Sequence, residues 1–136
     1  MENLKAQRSV SLRTPVEFWM SVLLILFLLW LAVVAFWNPV PGATGFGIPL
    51  LDPLDAFYMR VKGDRDLGSA LAVAALLWLG DRRALGALVL ALTVEPILDC
   101  FLVASDPRGQ LSYALTIHGS AAVYGLLLSW RLLRKR

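Results

Sequence analysis

The chain has 136 residues, 58% of them hydrophobic and 17% charged, with a formal net charge of +3. Its mean hydropathy of +0.67 is far above that of a soluble domain, and a single cysteine, Cys100, excludes a scaffold held by intrachain disulfides. The basic residues gather at the chain ends and in one short turn, with no basic aromatic patch, so topology and anionic headgroups account for them and a nucleic-acid partner is not expected.

The first predicted element is a membrane span over about residues 17–37. From Phe18 to Phe36 there is no ionisable residue, a run long enough to cross a bilayer. It is longer than the ~7 to 15 residues of a signal-peptide core, and no small-x-small cleavage site precedes Pro39, so a retained helix is expected. Trp19 and Trp37 fall at its two boundaries; Trp30, in the middle, fits neither aromatic belt.

Residues 38–57, NPVPGATGFGIPLLDPLDAF, contain Pro39, Pro41, Pro49 and Pro53 with Gly42, Gly45 and Gly47. Each proline lacks an amide donor and each glycine frees the backbone, which predicts a loop on the outer side. Phe46, Ile48, Leu50, Leu51 and Leu54 make it apolar. The first reading is an interfacial segment among lipid headgroups; the alternative is a lid, with Phe46 covering the outer mouth of the bundle.

The second span is expected over about residues 58–79. Its apolar part, Leu67 to Gly80, makes only about 21 Å of helix, short of the roughly 30 Å of a bilayer core. The helix must therefore begin near Arg60, which carries charges to membrane depth. At 100° per residue Tyr58, Lys62, Arg65, Asp66 and Ser69 share one face. Lys62 and Asp66 are spaced to pair, as are Arg60 and Asp64 on the opposite side. Arg65 has no acid at that spacing on its own helix and is expected to find one on another.

The third span, about residues 84–104, follows a turn with Arg82 and Arg83. Its segment TVEPILDCFLVASD places Glu95 and Asp99 on one face, with Pro96 between them to loosen or bend the helix. The fourth span, about residues 111–133, contains LTIHGSAAVYG, where His118 shares a face with Ala114, Ala122, Gly125 and Ser129. Such small residues permit close helix approach, so His118 is expected to point inward. At the helical rise, Asp99 lies about 8 Å deep, Arg65 and His118 about 10 Å and Glu95 about 14 Å. One polar layer is predicted.

These elements make a single all-α membrane domain over residues 1–136, a polytopic bundle of four transmembrane helices. Lys5, Arg8 and Arg13 before the first span, the Arg82-Arg83 turn, and Arg131, Arg134, Lys135 and Arg136 at the end put both termini in the cytoplasm, in what would be a bacterial inner membrane.

The motifs GFGIP, VKGDRDLGSAL, GDRRALG, EPILDC and HGSAAVYG resemble a family of small four-helix membrane proteins, the domain of unknown function 4267. The resemblance runs from about Pro39 to Leu133. Its most specific part is Gly63-x-Arg65-Asp66-Leu67 with Asp99 and His118-Gly119. It implies a four-helix fold and the same polar layer, and it supplies no activity.

Function then rests on chemistry. A charge at membrane depth costs roughly 2.5–3.5 kcal/mol on insertion scales, and desolvation can exceed what an ion pair returns. The layer is therefore expected to be a functional site; the alternative is a structural ion-pair network that fixes helix register, with His118 an ordinary hydrogen-bonded core residue. Arg65, Asp66, Glu95, Asp99 and His118 are the candidate catalytic residues, with Tyr58, Lys62, Ser69 and Phe46 as substrate contacts. An acid and a base in a dry pocket suit opening of an epoxide, cyclisation or isomerisation of a lipophilic substrate. The alternatives are a binding or assembly protein for a lipid, quinone or partner helix, and a proton-coupled carrier that would work as a homodimer. No residue requires a cofactor, and one histidine with Asp99 and Glu95 makes a weak zinc set, so no metal is expected.

Overall fold

The computed structural model describes residues 15–134, all of whose regular structure is helical. The basic residues Lys5, Arg8, Arg13, Lys135 and Arg136 lie outside the described residues. The elements are α1 (Pro15–Trp37), α2 (Pro39–Phe46), a 3-10 turn (Pro53–Asp55), α3 (Ala56–Leu79), α4 (Arg82–Leu92), α5 (Val94–Ser105) and α6 (Leu111–Tyr113). A π-helical turn (Ala114–Gly119) then leads into α7 (Ser120–Leu133). They stack into four helical columns, of which Pro15–Trp37, Arg82–Ser105 and Leu111–Leu133 are long and apolar enough to cross a membrane. The fourth column, α3, is 24 residues long and carries Arg60, Lys62, Asp64, Arg65 and Asp66 in its first half.

Most of the breaks follow from the sequence. Gly80 ends α3 in the left-handed conformation at φ 71°, and Asp81 starts α4 by accepting the Ala84 amide at 3.0 Å, an ordinary N-cap. The third column is two helices because Pro96 has no amide to give the Leu92 carbonyl, so the ladder is interrupted at Thr93. That is the bend expected from Pro96. The π turn in the fourth column has no comparable sequence signal; such turns recur at functional sites, and this one contains His118.

The expected loop at 38–57 needs correction. Pro39 and Pro41 fall in the first turn of α2, where helical amides have no partner to lose, and they start the helix instead of preventing it. Gly42 and Ala43 are buried and Phe46 half-buried, so this segment packs onto the bundle, over a cavity that Pro41, Gly42, Gly45 and Phe46 help to line. Arg60 and Asp64, whose spacing predicts a pair, are both exposed, and among the described residues no ion pair joins them.

A core of Val73, Leu85, Val89, Leu128 and Leu132 fills one half of the bundle. At that end Arg82 donates to the carbonyl oxygens of Arg131 and Arg134, Arg131 lies 3.6 Å from the buried Glu17 carboxylate, and Tyr124 donates to the Met20 carbonyl at 2.7 Å. The start of α1, the α3–α4 turn and the end of α7 thus meet at one end. At the other end the Gln110 amide donates to the Gly47 carbonyl at 3.1 Å. Beside it, the Arg108 side chain and backbone both hydrogen-bond Asp106 and hold its carboxyl down to about 2, so that this turn keeps its charge pair at any physiological pH.

Close approach is set by small residues. A Cβ on Gly63 would stand 2.9 Å from Ala35 Cβ, and one on Gly125 would stand 2.2 Å from Thr93 Oγ1. The first fixes α3 against α1. The second seats α7 on the α4–α5 break, and leaves the outer halves of the columns free to part around a cavity.

Candidate functional site

That cavity has a volume of about 510 Å³ and lies under α2, between the outer halves of α1, α3, α5 and α7. Its apolar wall comes from Leu24, Phe27, Leu28, Trp30, Leu31, Leu92, Pro96 and Ile117; its polar wall from Lys62, Arg65, Asp66, Ser69, Thr93, Glu95, Asp99 and His118; and Phe46 closes it from α2. The size and the mixture of a large apolar lining with few convergent polar groups are those of ligand sites, which run about 300–1,000 Å³. Lys62, Arg65, Asp66, Glu95, Asp99 and His118 thus all line one cavity. Tyr58 does not belong to it: at 74% exposure it stands on the outside of α3, while its neighbour Met59 in the same first turn lines the cavity.

His118 is the best-fixed member. It is buried, as its small neighbours predict, and its Nε2 lies 2.7 Å from the Phe46 carbonyl oxygen. A carbonyl can only accept, so Nε2 carries the hydrogen and donates. Nδ1 then faces Asp99 Oδ2 at 3.8 Å. In the neutral ring Nδ1 holds a lone pair that faces the Asp99 carboxyl from beyond hydrogen-bond distance. Phe46 also packs edge-on against the imidazole, ring centres 4.6 Å apart, so the lid touches the dyad through both its backbone and its side chain.

The charges pair differently from expectation. Lys62 Nζ and Asp66 Oδ2 meet at 2.6 Å, as their spacing predicts, and the same ammonium stands 5.8 Å from the centre of the Phe46 ring, within cation–π range. Arg65 does not clasp Glu95 or Asp99, against the expectation of an acid from another helix. No ion pair or hydrogen bond reaches it among the described residues, although it is the cation whose field acts most on Glu95. Depth counting puts the three residues at similar levels but cannot fix how far apart their side chains stand, and Arg65 is exposed where Glu95 and Asp99 are half-buried. Nor are Glu95, Asp99 and His118 drawn together into a set able to hold a metal ion, among the described residues.

Two lining residues escape a reading of the sequence. Trp30 lines the cavity, and its poor fit to both aromatic belts is the available signal. Thr93 lies at the α4–α5 break, its hydroxyl donating back to Val89 at 2.7 Å; nothing in the sequence marks it.

The lid depends on one glycine. Gly47 closes α2 at φ 105°, where its amide bonds the carbonyls of Ala43 and Thr44, and a Cβ there would stand 2.9 Å from Val103 Cγ1 and 3.0 Å from Tyr113 Cβ. Gly47→Ala should cost about 1–3 kcal/mol through strain alone and shift Phe46 off His118. Thermal unfolding in detergent, with histidine NMR as the local reporter, checks both.

A helical bundle with three helices long and apolar enough to cross a membrane among the described residues, and a cavity of mixed lining covered by the short helix α2, is the class these features define. The chain belongs to the family described as Domain of unknown function (DUF4267), which matches residues 25–132 and so takes in the lid, the cavity and the dyad. No curated protein and no solved structure matches it.

Proposed function

We propose that the cavity is an acid–base site for a lipophilic substrate, in a protein of four membrane spans whose termini both face the cytoplasm of a bacterial inner membrane. The observation that carries this reading is the Asp99–His118 pair, with His118 oriented by the lid carbonyl, in a cavity that sets a polar wall against a larger apolar one. Asp99 takes a proton from the substrate or from an attacking water and passes it to His118 Nδ1; Glu95, on the same face of α5, gives a proton to the epoxide oxygen or carbon at the other end of the reacting unit. The substrate thus gains and loses one proton each, and the dyad returns its proton to Glu95 between turnovers. Lys62 pairs with Asp66, Ser69 offers a hydroxyl, and Phe46 excludes water. Epoxide opening, cyclisation and double-bond isomerisation all fit that balance.

A second reading is supported by Arg65, which lines the cavity without an acid of its own: a binding or assembly protein that holds a lipid or quinone and performs no chemistry on it.

The orientation is tested separately. In a Cys100→Ala background, a cysteine at Leu51, 81% exposed beside the lid, should react with an impermeant thiol reagent in intact cells, and one at Arg134 only after permeabilisation. The reverse pattern ends the proposed topology.

A further inference from the structure

We propose that the cavity takes an amphiphile with an anionic head, a carboxylate or a phosphate monoester on an aliphatic tail, and that Arg65 holds the head. The inference rests on the cavity being a ligand site and does not require catalysis there.

Arg65 is the polar-wall cation without a contact partner among the described residues, its charge reaching Glu95 only through space. Lys62 is committed to Asp66 at 2.6 Å and His118 to Phe46 and Asp99, but the Arg65 guanidinium lines the cavity with no ion pair or hydrogen bond among the described residues. A guanidinium cannot shed its proton, and at the depth of the first turns of a membrane helix its five donors need an acceptor. Arg65 stands exposed at the flank where α3 and α5 barely touch, while α2 closes the end of the bundle above. An amphiphile could enter from the bilayer along that flank, lay its tail against Trp30 and Leu31, and leave its head at Arg65. A planar guanidinium binds carboxylate and phosphate through paired hydrogen bonds, which an ammonium cannot match. A neutral lipophile would use the apolar wall and leave Arg65 unanswered.

The test uses the full chain in phosphatidylcholine nanodiscs, with tritiated oleate and tritiated oleyl alcohol as probes and empty discs subtracted. Oleate should bind saturably, and Arg65→Gln should weaken it at least about tenfold, the worth of one charge-assisted hydrogen bond. Arg65→Lys should lose less, and oleyl alcohol should bind the native protein and Arg65→Gln alike, which also shows that the variant is folded. Displacement of oleate by oleoyl lysophosphatidate would assign the head to phosphate as well as carboxylate; failure to displace would restrict it to carboxylate. If oleate binds Arg65→Gln as tightly as the native chain, Arg65 is answered by bilayer phosphates and the inference falls while the cavity reading stands. If neither probe binds, both fall.

Discussion

Lys62→Met is expected to lower stability by about 1–3 kcal/mol, the cost of leaving a buried acceptor without its partner. Asp66 is only 5% exposed, and its carboxylate meets Lys62, whose side chain keeps 27% exposure, at 2.6 Å; without the ammonium it must stay charged where water hardly reaches it or take up a proton. Most of the loss belongs to the stranded acid, so the double change Lys62→Met with Asp66→Leu should recover a large part of it. Arg60→Met is the control: exposed and with no ion pair to Asp64, it should stay within about 0.5 kcal/mol. Denaturant or thermal unfolding in one detergent gives all three values, and strictly additive losses at residues 62 and 66 would contradict the pairing.

The largest effect on activity is expected at the dyad. Asp99→Asn keeps size and hydrogen-bonding reach but cannot accept a proton, so turnover should fall by the ~10²–10⁴-fold that a positioned acid or base contributes, with lipophile binding retained. His118→Phe should do more, because it also removes the donor to the Phe46 carbonyl and frees the lid: binding and turnover should fall together. Asp99→Asn should leave Phe46 where it is. Tritiated-lipophile binding and tryptophan fluorescence, to which Trp30 in the cavity wall contributes, separate the two outcomes.

How far the sequence discloses this arrangement depends on the kind of information each feature needs. Apolar runs fix helix existence and rough depth, which is why the four columns, the Pro96 break, the Lys62–Asp66 pair and the inward His118 are all legible. Depth carries no azimuth, and Arg65 shows the consequence: it shares a level and a cavity with Asp99 yet forms no ion pair with it among the described residues. Prolines are read as breakers unless their place in a helix is known, so Pro39 and Pro41 conceal α2, whose first turn they occupy. Glu17 reads in the sequence only as a residue at the start of the first span; its burial against Arg131 depends on how α1 and α7 close at the other end, a contact between distant parts of the chain that no local pattern encodes. The π turn is likewise a product of packing.

The central claim is that Asp99 and His118 do chemistry on a lipophile, and comparison of lipid extracts by mass spectrometry tests it whatever the substrate is. Cells producing the native chain, Asp99→Asn or no protein are grown in parallel, with membrane levels of the two proteins matched. The account predicts at least one lipophile that appears as an isomer or a hydrated product only with the native chain, its precursor accumulating with Asp99→Asn. Identical extracts from the native and Asp99→Asn cells, each differing from the empty control in the same product, would contradict acid–base catalysis by this dyad.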